Sequence, residues 1–197
     1  MSITPGKALS RIAGGSFVHV ADLPGTAAAK SSAVSRAHKA GDILPIRKGL
    51  YYKGVKTRYG MTRPSAEEIA VEVLGKTGVG PSGYAAARAL GLTSQVPSRP
   101  SFTVAGPVPT SVSGVKVSRR NNMTRRKLRY AEIALLELLR GDWEATVDGG
   151  WEALVSAYGS AVDGQKIRPK AIIDAIPGEH SPAARRNFAR LTSSVAA

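Results

Sequence analysis

The residues most suited to chemistry are cations, placed on one predicted helix and on the turn after it. Lysines and arginines recur along residues 27–40, and residues 47–49 (Arg-Lys-Gly) separate two β-prone runs. Such a helix can enter the major groove of DNA, while a cationic turn contacts adjacent phosphates or the minor groove. We therefore predict that the following residues bind DNA: Lys30, Ser31, Ser35, Arg36, Lys39, Arg47, Lys48 and Tyr52.

A second basic segment follows a long window without acids, between Glu72 and Glu132. Its densest part, "SRRNNMTRRKLR", precedes a predicted helix, where the helix dipole disfavours cations. That placement is costly unless an anion or an acidic partner lies nearby. We predict a second basic surface, with a solvated charge run as the alternative, formed by Arg119, Arg120, Arg125, Arg126, Lys127 and Arg129.

No set of residues in the sequence is typical of catalysis. There is no cysteine, and the three histidines lie far apart, so we expect no metal site. The run "GVGPSG" at 78–83 lacks the ending of a phosphate-binding loop and is interpreted as a tight turn before a helix. Glu67 and Glu68 have no histidine or nucleophile in their pattern. We therefore predict no catalytic residues, no cofactor and no enzymatic activity.

The composition favours a polyanionic partner. The 197 residues carry a net charge of +14, and residues 1–65 hold 11 Lys and Arg against 2 Asp. Nucleic acid is the expected partner, and an anionic membrane surface is a weaker alternative because no helix pairs a cationic face with a broad aromatic and leucine face. Without a long apolar run or a leader-like start, the chain is expected to be soluble, unprocessed and cytoplasmic.

The order of the predicted elements indicates the architecture. The sequence predicts a helix at residues 4–13, a second helix at 27–40 and a two-stranded hairpin at 43–52. A strand-like run and a brief turn lie between the two helices. This is the order of a winged helix-turn-helix. Residues 53–65 are expected to be an extended connector.

The rest of the chain is expected to be mainly helical with a small β region. Helices are predicted at 65–76, 84–90, 125–140, 150–158, 169–176 and 182–195, and two or three short strands are predicted within 99–119. The fold class is therefore α+β, with a winged helix-turn-helix domain at 1–58 and a mixed C-terminal domain at 59–197.

The phrases "AVSRAHKAGDILPIRKGLYYKG", "TRYG", "PSAEEIA", "GPSGYAAARALGLTSQVPSRPSF" and "GVKVSRRNN" together resemble the AbiEi-type antitoxins. The resemblance covers residues 15–122, and residues 87–97 are its most specific part. These antitoxins are partners of nucleotidyltransferase-like toxins in phage-defence and stress operons.

The resemblance implies an autorepressor that binds inverted repeats in its own operator, and a C-terminal domain that counteracts the toxin directly or indirectly. Residues 119–129 are the candidates for the antitoxin effect. The oligomeric state stays open, and a monomer that binds cooperatively is one option. A ligand-responsive winged-helix regulator without a toxin is the alternative function, and a nuclease or phosphotransferase is a more distant one.

Overall fold

A computed structural model of the chain describes residues 3–108 and 112–196. The fold is α+β, and the chain divides into two units, Met1–Ser65 and Ala66–Ala197. The predicted domain boundary at residue 59 falls inside a small hairpin of the first unit. Part of the predicted strand region, residues 109–111, lies outside the described residues.

The first unit contains helices at its start and short strands towards its end. The elements are α1 (Pro5–Arg11), β1 (Ser16–His19), a 3-10 helix (Val20–Asp22), α2 (Ala27–Lys39), β2 (Leu44–Arg47), β3 (Leu50–Lys53), β4 (Lys56–Thr57) and β5 (Gly60–Met61).

Local signals explain where the elements of the first unit begin. Thr4 caps α1 by accepting a hydrogen bond from the Lys7 backbone N–H, and Pro5 occupies the first helical turn.

Strands β1, β3 and β2 form an antiparallel sheet in that order. The buried core of this unit consists of Leu9, Val18, Leu23, Ala33, Val34 and Ile43.

The segment expected to be an extended connector contains the hairpin β4–β5 instead. Val55 and Thr62 exchange two hydrogen bonds beside it, of 2.8 and 3.0 Å. Gly54 lies so close to the Thr62 carbonyl that a Cβ there would overlap with it. Glycine at position 54 therefore allows the backbone there to lie against the backbone at Thr62. The sequence pattern did not predict this close approach.

The second unit is mainly helical and has one three-stranded sheet. Its elements are α3 (Ala66–Leu74), β6 (Val79–Ser82), α4 (Tyr84–Ala89), β7 (Ser101–Ala105), β8 (Lys116–Arg120), a 3-10 helix (Met123–Lys127), α5 (Tyr130–Glu137), a π-helix (Leu138–Asp142), α6 (Trp143–Thr146), α7 (Gly150–Asp163), α8 (Pro169–Ala175), a 3-10 helix (Ile176–Gly178) and α9 (Pro182–Ala196).

Strand β7 is central in this sheet, with β6 antiparallel and β8 parallel to it. The run predicted as a turn forms strand β6, and Gly80 within it lies against α5. A Cβ at Gly80 would sit 2.5 Å from the Cβ of Ile133, so only glycine fits there. The absence of a side chain at Gly80 thus allows β6 to pack closely against α5.

The long helix predicted at 125–140 is divided into three pieces. A 3-10 helix comes first and is capped by the Asn122 side chain, which accepts from the Thr124 N–H at 3.2 Å. Helix α5 then begins at Tyr130, and the π-helix that continues it includes Gly141 at a φ of 131°. Helix α5 is the interior helix of this unit, because Ile133, Ala134 and Leu135 are all buried.

Candidate nucleic-acid interface

Helix α2 presents a polar and basic side opposite its buried residues. Thr26 caps the helix by accepting from the Ala29 N–H at 3.3 Å, and Ala33 and Val34 face the core. The other side, which we call the α2 polar face, carries no acidic residue. The α2 polar face consists of the exposed residues Ser31, Ser35, Arg36 and Lys39.

The cations of this face lie near the C-terminal end of α2, where positive charge stabilises a helix. Arg36 and Lys39 belong to the last turn, where the helix dipole favours positive charge. Arg36 also lines a groove of about 440 Å³ with residues of α1 and with Lys53. The face therefore combines short hydroxyl side chains with two cations, which suits contact with a phosphate backbone and base edges.

Lys30 differs from the other cations of α2. It is half-buried, and its Nζ donates a 2.7 Å hydrogen bond to the backbone oxygen of Ala21. At 100° per residue, Lys30 lies on the same side of the helix as Ala33 and Ala37. Lys30 therefore has a structural contact within the first unit, because its ammonium group caps the preceding 3-10 helix, and its assignment to the DNA-binding set stays a prediction.

The hairpin β2–β3 carries two cations at its tip. Arg47 pairs with Leu50, and the turn between them contains Lys48 and Gly49, with Gly49 at a φ of 79°. The Val20 N–H donates a 3.0 Å hydrogen bond to the Gly49 oxygen, which fixes the tip. Arg47 and Lys48 are both exposed and can meet an anion.

Tyr52 is not part of this exposed set. Only 6% of the residue is exposed, and its ring packs edge-to-face against Phe17 with the centroids 5.2 Å apart. The structure therefore corrects the assignment of Tyr52 as a phosphate contact. Its role is to hold the hairpin on β1.

Lys53 is a structural cation that the sequence did not reveal as one. Its Nζ donates to the backbone oxygens of Leu9 and Ser10 at 2.9 and 3.0 Å, which satisfies carbonyls at the end of α1.

Lys56 forms an ion pair in the first unit by donating to Asp42 at 2.6 Å. The hydrogen bond and charge of Lys56 lower the pKa of the Asp42 carboxyl.

The basic segment of the second unit does not form one exposed surface. Arg119, Arg126, Lys127 and Arg129 are exposed, whereas Arg120 is half-buried. Arg125 is 1% exposed. The structure therefore corrects the assignment of Arg125 to a basic surface, because its guanidinium lies inside the unit.

Arg125 is the centre of a cluster of five charged groups, which we call the buried charge network. Its Nη1 donates to Glu137, and its Nε and Nη2 donate to the two carboxylate oxygens of Glu179. Arg120 makes a two-point contact with Glu137, and Arg140 donates to Glu179 at 3.0 Å. The acidic partner expected near the basic segment is thus within the chain itself.

Asn122 completes the environment of Glu179 by donating to its Oε1 at 2.8 Å. Burial alone raises the pKa of Glu179, but the hydrogen bonds and charge of Arg125, the Asn122 hydrogen bond and the charge of Arg140 outweigh burial and lower the pKa. Glu179 is therefore a stable carboxylate in the interior.

Glu132 is a second buried carboxylate in the same unit. It accepts hydrogen bonds from the Nε, Nη2 and backbone N–H of Arg168 and from the backbone N–H of Arg129, at 2.7–2.9 Å. Burial opposes ionisation, but these hydrogen bonds, led by that of the Arg168 side chain, lower the pKa of Glu132.

We expect the stability of the chain to fall in acid. The folded state holds Glu132 and Glu179 as carboxylates with lowered pKa values, so it binds fewer protons than the unfolded state. Their contribution is complete above about pH 4.3, the ordinary glutamate value, and is lost as the pH falls through the folded values. Urea unfolding at several pH values measures this loss.

A matched pair of variants tests whether Glu132 contributes to the loss of stability in acid. Glu132→Gln is expected to reduce the slope of unfolding free energy against pH, while Glu152→Gln, at an exposed position of α7, leaves it unchanged. An unchanged slope in Glu132→Gln would contradict the role given to Glu132.

The described residues contain neither a cluster of metal-ligating side chains nor a helix that could span a membrane. Across residues 3–108 and 112–196, no group of three or more His, Asp or Glu side chains could hold a metal ion. No helix in the same described ranges has the length and apolar character needed to cross a membrane.

Comparison with solved structures shows a similarity of fold, whereas comparisons of sequence show no match. No family model and no curated protein matches the chain. Its structure is similar to the crystal structure of the RV2827C protein from Mycobacterium tuberculosis, with a TM-score of 0.52 and 15% sequence identity over 96% of this chain and 75% of that chain. At this identity the similarity shows the fold alone.

Proposed function

We propose that this chain is a DNA-binding autorepressor whose first unit is a winged helix-turn-helix. Support comes from the order of α1, β1, the 3-10 helix Val20–Asp22, α2 and the hairpin β2–β3. In this proposal α2 is the recognition helix, the 3-10 helix stands in place of the helix before it, and the hairpin is the wing.

The α2 polar face is the observation that carries the proposal. It combines Ser31, Ser35, Arg36 and Lys39 with no acid on the helix, and the wing adds a second exposed cationic site. The high positive charge of residues 1–65 adds long-range attraction to a polyanion. We place the activity in the cytoplasm, on the operator of the chain's own gene.

Fluorescence anisotropy tests DNA binding directly. The duplex that lies upstream of the chain's gene is expected to bind more tightly than a scrambled duplex of the same length and composition, by about 1,000-fold or more for a specific repressor. The logarithm of the affinity is expected to fall linearly with the logarithm of the salt concentration. Equal affinity for both duplexes would overturn the autorepressor proposal.

We further propose that the second unit carries an antitoxin activity against a nucleotidyltransferase-like toxin, without itself being an enzyme. The resemblance of residues 15–122 to AbiEi-type antitoxins supports this, and the exposed cations Arg126, Lys127 and Arg129 are the candidate contacts. Neutralisation by direct contact and indirect neutralisation both fit the proposal.

Co-expression with a toxin gene encoded beside that of the chain tests this second activity. The full chain is expected to restore growth, R126E/K127E/R129E is expected to lose that protection, and R36E/R47E/K48E is expected to keep it. A chain that binds its own operator but never restores growth would contradict the antitoxin activity, and a ligand-dependent shift of its melting temperature would then favour a ligand-responsive regulator without a toxin.

A further inference from the structure

A small pocket in the second unit lies directly beside the buried charge network. It has a volume of about 180 Å³, and its lining includes the guanidinium groups of Arg119, Arg120 and Arg140 and the imidazole of His180. Asn121, Asn122 and Glu179 complete the lining. We propose that this pocket binds a single phosphate group, either free phosphate or the phosphate of a small monoester.

The balance of charge around the pocket favours an anion. The ion pairs of the buried charge network join three arginines, Arg120, Arg125 and Arg140, to two carboxylates. The carboxyl group of Asp142 is a third acid close enough to interact with Arg120 and Arg140. Arg119 adds a further cation at the rim. Three arginines thus face three carboxyl groups, and Arg119 supplies the excess positive charge next to a space that water or an anion can enter.

The two carboxylates have little capacity left to neutralise that charge. Glu179 already accepts hydrogen bonds from Arg125, Arg140 and Asn122, and Glu137 accepts from Arg120 and Arg125. Each carboxylate is thus engaged by several donors inside the unit. An anion in the pocket can therefore balance the positive charge that Arg119 adds.

The arginines at the pocket are held in place but are not fully covered. The side chains of Arg120 and Arg140 are 25% and 29% exposed, and each is anchored to a carboxylate that is 1% exposed. A guanidinium has five donors, and Arg140 gives one of them to Glu179. Such anchored, partly exposed guanidinium groups match the geometry of phosphate oxygens.

The volume of the pocket narrows the class of ligand. Sites for drug-sized ligands have volumes of about 300–1,000 Å³, well above the volume here. One tetrahedral anion therefore suits the space better than a whole nucleotide. The positive end of α9 adds to this preference, because the helix begins at Pro182, two residues after His180, and Ser181 accepts from the Ala184 N–H.

The inference is independent of the DNA-binding and antitoxin proposals. It concerns a pocket of the second unit, and its test measures binding of a small anion rather than repression or growth. A failure of either proposed function therefore leaves the test of this pocket unchanged.

Nuclear magnetic resonance of the full chain tests the pocket, with inorganic phosphate and glycerol 3-phosphate as separate probes. Both probes are expected to shift the backbone amide signals of Arg119, Asn121 and His180 in a saturable manner. Tighter binding of glycerol 3-phosphate would favour a small monoester as the ligand, and equal binding would favour the phosphate group alone.

Two variants of β8 provide a matched comparison. Arg119→Gln removes a cation of the pocket and is expected to weaken phosphate binding about tenfold, because it removes one charge-assisted contact. Lys116→Gln removes an exposed cation of the same strand outside the pocket and is expected to leave binding unchanged. Arg119 is exposed and outside the buried charge network, so the fold is expected to persist.

His180→Ala is a second variant that leaves the buried ion pairs in place, and it is expected to weaken binding as well. The proposal is overturned if phosphate produces no saturable shifts at the pocket residues. It is also overturned if Lys116→Gln weakens binding as much as Arg119→Gln, since that result would indicate only a diffuse attraction to surface charge.

Discussion

Replacing Arg125 with methionine is expected to lower the free energy of unfolding by about 3–5 kcal/mol, the loss typical of breaking a buried ion pair by removing one partner. Arg125 is 1% exposed and pairs with Glu137 and Glu179, which are also buried. Methionine fills much of the same volume but leaves both carboxylates without their central cation. Urea unfolding followed by circular dichroism measures the change.

Arg126→Met is the matched control, since Arg126 is the next residue along the chain and is exposed. It is expected to change the free energy of unfolding by no more than about 0.5 kcal/mol. If the two variants unfold at the same urea concentration, the buried charge network does not have the structural role assigned to it.

Charge reversal of the first unit is expected to have a comparably large effect on DNA binding. We expect R36E/R47E/K48E to weaken binding by about 100- to 1,000-fold, because each replacement removes a charge-assisted phosphate contact and adds repulsion. All three residues are exposed. Fluorescence anisotropy at fixed salt measures the affinity, and the slope against salt is expected to become shallower by about 3.

The control must change the net charge by the same amount. K76E/K116E/K166E does so at three exposed lysines of the second unit, outside the proposed DNA contacts. It is expected to retain most of the affinity. Equal losses in the two triple variants would show that net charge, rather than the α2 polar face and the hairpin tip, accounts for binding.

The elements of the first unit could be predicted because their signals are local. Thr26 marks the start of α2, and the Arg-Lys-Gly turn at 47–49 marks the hairpin, so both were confirmed within a few residues. The position of Lys30 was also available from the sequence. Helical spacing puts it beside Ala33 and Ala37, so a contact of Lys30 with the rest of the first unit could have been expected from its angle on the helix.

Arg125 could not be assigned correctly from its neighbours. Four of the cations around it are exposed, and its partner Glu179 lies 54 residues further along the chain. A run of basic residues therefore does not indicate which member is buried. The sequence contains only an indirect signal. Cations just before a helix are unfavourable because of the helix dipole, so an anion or an acidic partner was expected near Arg125, but the sequence did not indicate which residue it is.

The distance between Arg125 and Glu179 along the chain affects how the protein is made. A ribosome synthesises four of the five groups of the buried charge network well before Glu179, so a nascent chain lacks the carboxylate that Arg125 and Arg140 share. The second unit cannot complete its interior during most of its translation. Nascent or truncated chains that end before Glu179 are consequently expected to be held by chaperones or degraded by proteases.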